Sequence, residues 1–92
     1  MSTIGRDTRY ARVIASAEID LGSDEKAVAE RLELHEFGTE EVRFSWWKNG
    51  KFMTRPLDIA EEDWIKLLSE SYKNGVLSSE FMKDLEKQIF SI

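Results

Sequence analysis

The chain has 92 residues, a formal net charge of -5 and no cysteine. Its size predicts one domain with one hydrophobic core, and the missing thiols exclude both a disulfide framework and a zinc site built on thiolates. The 41% apolar and 34% charged composition is typical of a soluble protein. No apolar run is long enough to span a membrane, so we expect a cytoplasmic protein without a membrane anchor. The small hydrophobic core favours a homodimer.

Residues 1–9 are interpreted as an N-terminal arm and residues 10–57 as a sheet region. Between Tyr10 and Leu21, apolar and polar side chains alternate, which indicates a strand, although several apolar residues also fit a helical stripe. We favour the strand because a helix would leave Ile19 outside that stripe. Residues 22–24 are predicted to form a turn, and residues 25–30 are either a short helical turn or the start of the next strand.

The middle of the chain predicts two further hairpins. Residues 31–37 alternate as a strand would, although their composition also suits a helix. Asn49 and Gly50 are the pair that best supplies the two positive φ angles of a type I′ turn. With Lys48 opposite Lys51, the predicted pairs run from Trp47 with Phe52 to Val42 with Leu57. One face then carries the predicted core, Val42, Phe44, Trp46, Met53 and Leu57, and the other carries Arg43, Ser45, Trp47, Phe52 and Thr54.

Residues 58–92 are predicted to form a helical hairpin. Asp58 is placed as the first N-cap with Glu61 completing a capping box, and Gly75 as a left-handed helix stop. Ser78 is predicted to cap the second helix. The buried line of that helix is predicted to be Phe81, Leu85 and Ile89. The predicted fold class is α+β, an antiparallel meander of three or four strands followed by two C-terminal helices.

Charge is unevenly distributed along the chain. Residues 14–40 sum to -6 and residues 57–92 to -4, whereas residues 1–13 sum to +2 and residues 41–56 to +3. Basic side chains beside exposed rings are typical of surfaces that bind single-stranded nucleic acid. The candidate binding residues are therefore those of the second hairpin, Arg43, Trp47, Lys48, Lys51, Phe52 and Arg55. The structural explanation is favoured for Trp47 and Phe52, namely a cross-strand pair that stabilises the hairpin or is covered by the N-terminal segment or a partner chain.

The same region resembles the single-stranded-DNA-binding domain of the positive cofactor four family of transcriptional coactivators. The resemblance covers about residues 31–68. It rests on Leu32, Leu34, Glu36, Phe37, Val42, Arg43, Phe44, Gly50, Lys51, Phe52, Arg55, Leu57, Ile59, Glu62, Asp63, Trp64 and Leu67. It implies a dimer with a channel for single strands, in which the four cations of the hairpin contact phosphates and its two outward rings stack on bases.

Three classes of function remain open in order of preference. The first is a non-enzymatic module that binds single-stranded DNA with little sequence specificity. The second is a small acidic adaptor or inhibitor that engages a basic protein surface. An enzyme ranks last, because the sequence has one histidine, His35, and no nucleophile paired with a base, no phosphate loop and no cluster of metal ligands. No cofactor or metal is expected.

Overall fold

A computed structural model describes residues 11–91 of the chain. An antiparallel sheet comes first and two helices follow, so the predicted α+β class is confirmed. The strands lie side by side in chain order. The elements are β1 (Ala11–Gly22), β2 (Glu25–Leu34), β3 (Glu40–Lys48), β4 (Lys51–Met53), α1 (Glu61–Lys73) and α2 (Ser79–Phe90). Neither helix among the described residues has the length and apolar content needed to cross a membrane.

The first hairpin joins β1 to β2 and resolves the ambiguity in the N-terminal half. The strand prediction for residues 10–21 is confirmed over Ala11–Gly22, and β2 begins already at Glu25. The connecting residues Ser23 and Asp24 both have positive φ, 53° and 60°. This conformation is costly for residues other than glycine, but it matches the twist of paired strands. β2 ends at Leu34, three residues before the predicted end of this strand.

The hairpin formed by β3 and β4, called the second hairpin throughout, has the predicted turn but less pairing than expected. Asn49 and Gly50 both have positive φ, and Trp47 pairs with Phe52 as the register requires. β4 stops at Met53, so the ladder contains three residue pairs. The predicted pairs beyond it, from Ser45 with Thr54 to Val42 with Leu57, are therefore wrong. The chain leaves the sheet after Met53, shortly before Pro56. Proline has no N–H to donate to a neighbouring strand, so it does not favour continued pairing.

One face of the sheet, the helix-facing face, packs against α1. Its central positions on β1 and β2 are alanines, Ala17, Ala27 and Ala29, and these small side chains let the helix approach closely. Leu67 of α1 enters this space and is fully buried. Phe44 of β3 contacts Trp64 edge to face at a centroid distance of 5.4 Å. The core is therefore built from small strand residues and large helix residues.

The ends of α1 are only partly as predicted. The N-cap is Ala60, without a side-chain hydrogen bond, so the predicted Asp58 cap is wrong. Three acidic residues in the first turn still complement the helix dipole. The C-terminal stop is confirmed, because Gly75 has a φ of 80° and the two amides of a Schellman motif are bonded, Gly75 N to Tyr72 O and Val76 N to Ser71 O.

The segment between the helices is anchored to the sheet. Val76 and Leu77 are buried, at 0% and 4% exposure. The guanidinium of Arg31 on β2 donates from Nε to the carbonyl oxygen of Val76 at 2.8 Å and from Nη1 to Oε1 of Glu40 at 2.8 Å. One arginine thus ties the end of the first helix to two strands.

The second helix departs furthest from expectation. Ser78 caps it as predicted, since Ser78 Oγ accepts a hydrogen bond from Phe81 N at 3.1 Å. None of its residues is buried, and α2 makes no packing contact comparable to that of α1 with any described element. Phe81, Leu85 and Ile89 are 45%, 38% and 61% exposed. The prediction that they form a buried line is therefore wrong within the described part of the chain.

Candidate nucleic-acid interface at the second hairpin

The tip of the second hairpin holds two lysines directly opposite each other. Lys48 and Lys51 flank the Asn49–Gly50 turn and are cross-strand partners. Both are exposed, and neither forms a salt bridge within residues 11–91. The turn is held in place by a hydrogen bond from Asn49 N to the carbonyl oxygen of Asp24 at 2.9 Å. The two hairpins therefore end side by side, with the lysine pair at their edge.

The two predicted stacking rings differ strongly in exposure. Trp47 and Phe52 meet edge to face, with centroids 5.8 Å apart and planes at 85°. Trp47 is only 6% exposed, and its Nε1 donates to Ser45 Oγ at 3.0 Å. Phe52 is 46% exposed. Phe52 therefore presents a ring to solvent, whereas Trp47 acts in this structure as a buried support for it.

The outer face of the sheet, opposite α1, was expected to be an open polar surface. Its central residues Val28, Glu30, Ser45 and Trp47 are instead buried, with exposures between 0% and 6%. β2 is therefore buried on both of its faces over residues 27–30, although an antiparallel sheet often leaves one face to solvent. Aromatic rings at the middle of this face are not free to take up a ligand in this conformation.

Arg43 is engaged by a buried carboxylate. Glu30 is 1% exposed, and its Oε1 accepts from Arg43 Nη2 at 2.6 Å and from Arg43 Nε at 3.1 Å. A phosphate at Arg43 would have to compete with this charge-assisted pair. Glu30 is not predictable as the partner from the sequence, because residues 25–30 fit either a helical turn or the start of a strand. Once they form a strand, its register with β3 places Glu30 beside Arg43.

Arg55 lies beyond the end of β4 and belongs to a small cleft on the helix-facing side. The cleft has a volume of about 250 Å³ and is lined by Leu21, Glu25, Trp46, Arg55, Pro56 and Asp58. Trp46 is half-buried there, and its Nε1 donates to Glu25 Oε1 at 2.8 Å. Two carboxylates thus share the cleft with the one guanidinium.

The six predicted binding residues are consequently divided between two faces. Arg43, Trp47 and Phe52 alternate onto the outer face, whereas Lys48 and Lys51 share the helix-facing side with Trp46 and Met53. Arg55 lines the cleft on the latter side. The lysine pair and Phe52 come together only at the tip of the hairpin, where the strand edges meet. Any ligand contacting all of them would have to wrap this edge.

Acidic groups surround the tip. Glu25 is the cross-strand partner of Lys48, and Asp24 contacts the turn through its backbone. On the outer face the Lys26 ammonium bonds Glu18 Oε2 at 2.7 Å, and this hydrogen bond and the charge of Glu18 raise the pKa of Lys26 above its ordinary value. Lys26 is thus already neutralised by a neighbour. Within residues 11–91, Lys48, Lys51 and Arg55 of the second hairpin form no salt bridge, and the same is true of Lys83 and Lys87 on α2.

Of the basic residues in the N-terminal segment, Arg12 lies in the described part of the chain. Arg6 and Arg9 lie outside the described residues, and Arg12 bonds Glu33 Oε1 at 2.9 Å. Among residues 11–91 no group of three or more histidine, acidic or cysteine side chains is arranged to hold a metal ion.

Comparison of the chain with protein-family models, with curated proteins and with solved structures finds no match. The resemblance to the positive cofactor four family therefore stays a prediction, carried by the residues quoted for it and by nothing further.

Proposed function

We propose that this protein is a non-enzymatic module that binds single-stranded nucleic acid, DNA in the first instance, at the tip of its second hairpin. The contacts would come from Lys48, Lys51, Phe52 and Arg55, whereas Arg43 and Trp47 act from below as structural supports. The observation that carries the proposal is the pair of exposed lysines held opposite each other beside an exposed ring.

The lysine pair places two like charges directly opposite each other, with Glu25 on the other side of Lys48 in the sheet. Like charges directly opposite each other destabilise an antiparallel ladder. Neither Lys48 nor Lys51 has an acidic partner within salt-bridge distance among the described residues. A phosphate placed between the two ammonium groups would remove this repulsion. The adjacent Phe52 ring offers a surface on which an unpaired base can stack, and stacking of this kind accepts any base.

The expected binding is weak because the charged surface is small. Three cations on a single strand predict a slope of about -2 for the logarithm of the binding constant against the logarithm of salt concentration. One stacked base adds roughly 1–3 kcal/mol. The net charge of -5 opposes the approach of any polyanion. Binding is therefore expected at low salt, without base preference, and to weaken steeply as salt is added.

The experiment is a fluorescence anisotropy titration with a labelled single strand of about 12 nucleotides, a length within the range that small modules cover. Lys51→Glu should abolish binding at low salt, and Phe52→Ala should weaken it by about tenfold, since a stacking contact is worth 1–3 kcal/mol. Lys83→Glu is the matched control. It makes the same charge change at an exposed lysine on α2 that also lacks a salt bridge within the described residues.

The outcomes separate cleanly. Loss of binding in Lys51→Glu with retention in Lys83→Glu supports the hairpin as the interface. Equal losses in both variants would mean that only overall charge matters, and absence of binding by the parent protein at low salt would overturn the proposal. Tighter binding of RNA than of DNA of equal length would change the proposed ligand to RNA and leave the proposed binding surface unchanged.

A second candidate function is supported by a different surface. Ile65 on the outer side of α1 is 70% exposed, and Tyr72, two turns along the same side, is 47% exposed. Glu61 and Glu62 lie in the first turn of this helix. An apolar strip that begins among carboxylates suits an adaptor that engages a basic protein surface, because the charges orient the partner and the apolar residues hold it.

This alternative has its own measurement. An amphipathic peptide with lysines around a leucine stripe should bind the parent protein and lose affinity to Ile65→Ser. It should bind Lys51→Glu at least as well as the parent. If Ile65→Ser binds the peptide as well as the parent does and Lys51→Glu binds it more tightly, charge alone drives the association and the adaptor surface is not on α1.

A further inference from the structure

The structure leaves one large apolar surface unexplained by either candidate function. It is the stripe of α2 formed by Phe81, Leu85 and Ile89, which follow each other at intervals of four residues. Phe90 follows Ile89 on the adjoining side of the helix and is 72% exposed. A shallow groove of about 280 Å³ runs along the same helix, lined by Met82, Lys83, Leu85, Glu86, Ile89 and Phe90.

A helix of this kind is not stable by itself. α2 has twelve residues, none of them buried. Isolated helices of that length are marginal in water even with favourable sequences, and helices in proteins gain most of their stability from packing an amphipathic face. The Ser78 cap contributes about 1 kcal/mol, which does not replace a packing partner. Something must cover the stripe for α2 to persist.

We infer that the occupant of this stripe is a second copy of the chain, whose α2 lies antiparallel across it in a two-fold symmetric dimer. This inference does not rest on the proposed nucleic-acid function. It rests on the form of the stripe, its charge and its area.

The stripe is complementary to itself. In an antiparallel pair centred on Leu85, the leucines of the two copies meet, and Phe81 faces the partner's Ile89. A two-fold interface requires the same patch to fit its own rotated copy, and a stripe with one apolar residue on each side of a central leucine does so. Every exposed large residue of the stripe is then matched by another.

The charge of α2 permits this approach. The helix carries Glu80, Asp84 and Glu86 against Lys83 and Lys87, a net of -1, whereas the chain as a whole carries -5. Two acidic molecules repel least where their charges balance. A basic partner protein would gain little from this helix and more from α1, which has Glu61, Glu62, Asp63 and Glu70 against two lysines.

The available area sets the expected strength. Aromatic side chains carry about 150–250 Å² each, so Phe81 exposes roughly 90 Å² per copy at 45% exposure. Leu85 and Ile89 together add roughly twice that area. Two copies would bury roughly 500 Å² of apolar surface, and with flanking polar atoms the interface falls in the range of weak, transient contacts. A dimer that dissociates between about 0.1 and 1 mM is expected.

Sedimentation velocity across concentrations from about 1 µM to 1 mM tests the association. The parent protein should shift from monomer to dimer, and Ile89→Asp should remain monomeric throughout. Ile65→Asp is the matched control, because it makes the same substitution at an isoleucine on α1 of similar exposure, 70% against 61%. This variant should dimerise like the parent.

The absence of cysteine from the chain allows a second, geometric test. Leu85→Cys places two thiols at the two-fold axis, so mild oxidation should convert it to a covalent dimer within minutes. Ile65→Cys should stay largely monomeric under the same treatment. This test does not depend on destabilising the helix, and it reports whether Leu85 lies at the two-fold axis of the dimer.

The results that would overturn the inference are specific. A parent protein that stays monomeric up to millimolar concentration would exclude a second copy as the occupant and leave the stripe to a different protein. Equal loss of dimer in Ile89→Asp and Ile65→Asp would move the interface away from α2. Slow, equal crosslinking of the two cysteine variants would refute the two-fold geometry centred on Leu85.

Discussion

The pair formed by Arg43 and Glu30 allows the sharpest test of how the outer face is built. Arg43→Met keeps much of the aliphatic length of the side chain and removes the guanidinium. Glu30, with 1% exposure, then loses the two hydrogen bonds of 2.6 and 3.1 Å that it accepts from Arg43. A charge in this position is costly to bury without its partner.

The size of the effect follows from the environment of each group. Breaking a buried ion pair costs about 3–5 kcal/mol. The side chain of Arg43 is 32% exposed, and Glu30 has an additional interaction, so both screening and the remaining partner lower the cost. We expect Arg43→Met to reduce the free energy of unfolding by about 2 kcal/mol, in line with loss of hydrogen bonds to a charged group.

Urea denaturation of a double-mutant cycle measures this directly. Arg43→Met, Glu30→Gln and the double variant should give a coupling energy of about 1–2 kcal/mol, and the m-value should stay constant. Arg55→Met is the control. It removes an exposed guanidinium that has no salt bridge within the described residues and should change stability by less than about 0.5 kcal/mol.

A coupling energy near zero would refute the structural role of Arg43. So would an Arg43→Met variant that keeps its stability but loses affinity for oligonucleotides, because Arg43 would then be a ligand for phosphate rather than a partner of Glu30. The cycle thus decides between the two roles that the sequence left open for this residue.

Three further changes test other parts of the fold. Leu67→Ala should reduce the free energy of unfolding by about 2–5 kcal/mol in thermal or urea denaturation, because Leu67 is fully buried between the helix and the sheet. Replacing Ser23 by Asn and Asp24 by Gly should raise stability by about 1 kcal/mol, since both positions have positive φ and the carbonyl that bonds Asn49 is kept. Glu18→Gln should lower the pKa of Lys26 in an NMR titration, because it removes the carboxylate whose hydrogen bond and charge raise that pKa. The stabilisation that this pair gives the folded state is present below the unfolded pKa of Lys26 and is lost as pH rises through the folded pKa. A Lys26 pKa that does not change in this variant would show that the ion pair does not form in solution.

Local features were predicted well because they depend on a few neighbouring residues. The turn at Asn49 and Gly50, the stop at Gly75 and the cap at Ser78 are all confirmed. Each is decided by steric freedom at one residue or by one side chain within reach of a nearby amide. The strand alternation of residues 10–21 is of the same kind, since a period of two brings one set of side chains onto one face.

Apart from the N-cap at Asp58, the wrong predictions concern which residues lie opposite one another in space. Phe81, Leu85 and Ile89 form an apolar stripe in the sequence, and their spacing predicts a buried line. Amphipathicity shows that a helix has an apolar face, but it does not say which surface covers that face. In the structure the place against the sheet is occupied by α1, whose leucine fits the alanines of β1 and β2. The second helix is left without a described partner.

The candidate site shows the same division. Composition and turn chemistry located basic and aromatic residues on one hairpin, and the pairing of Trp47 with Phe52 followed from the register. Whether a ring is covered depends on the packing of the whole domain, and Trp47 is buried while Phe52 is exposed.

The sequence by itself determined where the chain turns, where its helices stop and which side chains share a strand face, because these are properties of short segments with fixed geometric periods. Only the tertiary structure decided that Arg43 is held by Glu30, that the ladder of the second hairpin ends after three pairs and that the stripe of α2 stays open. These features depend on which distant segments pack against the same surface. Burial of apolar area is favourable with any partner of suitable shape, so the sequence pattern does not identify the partner.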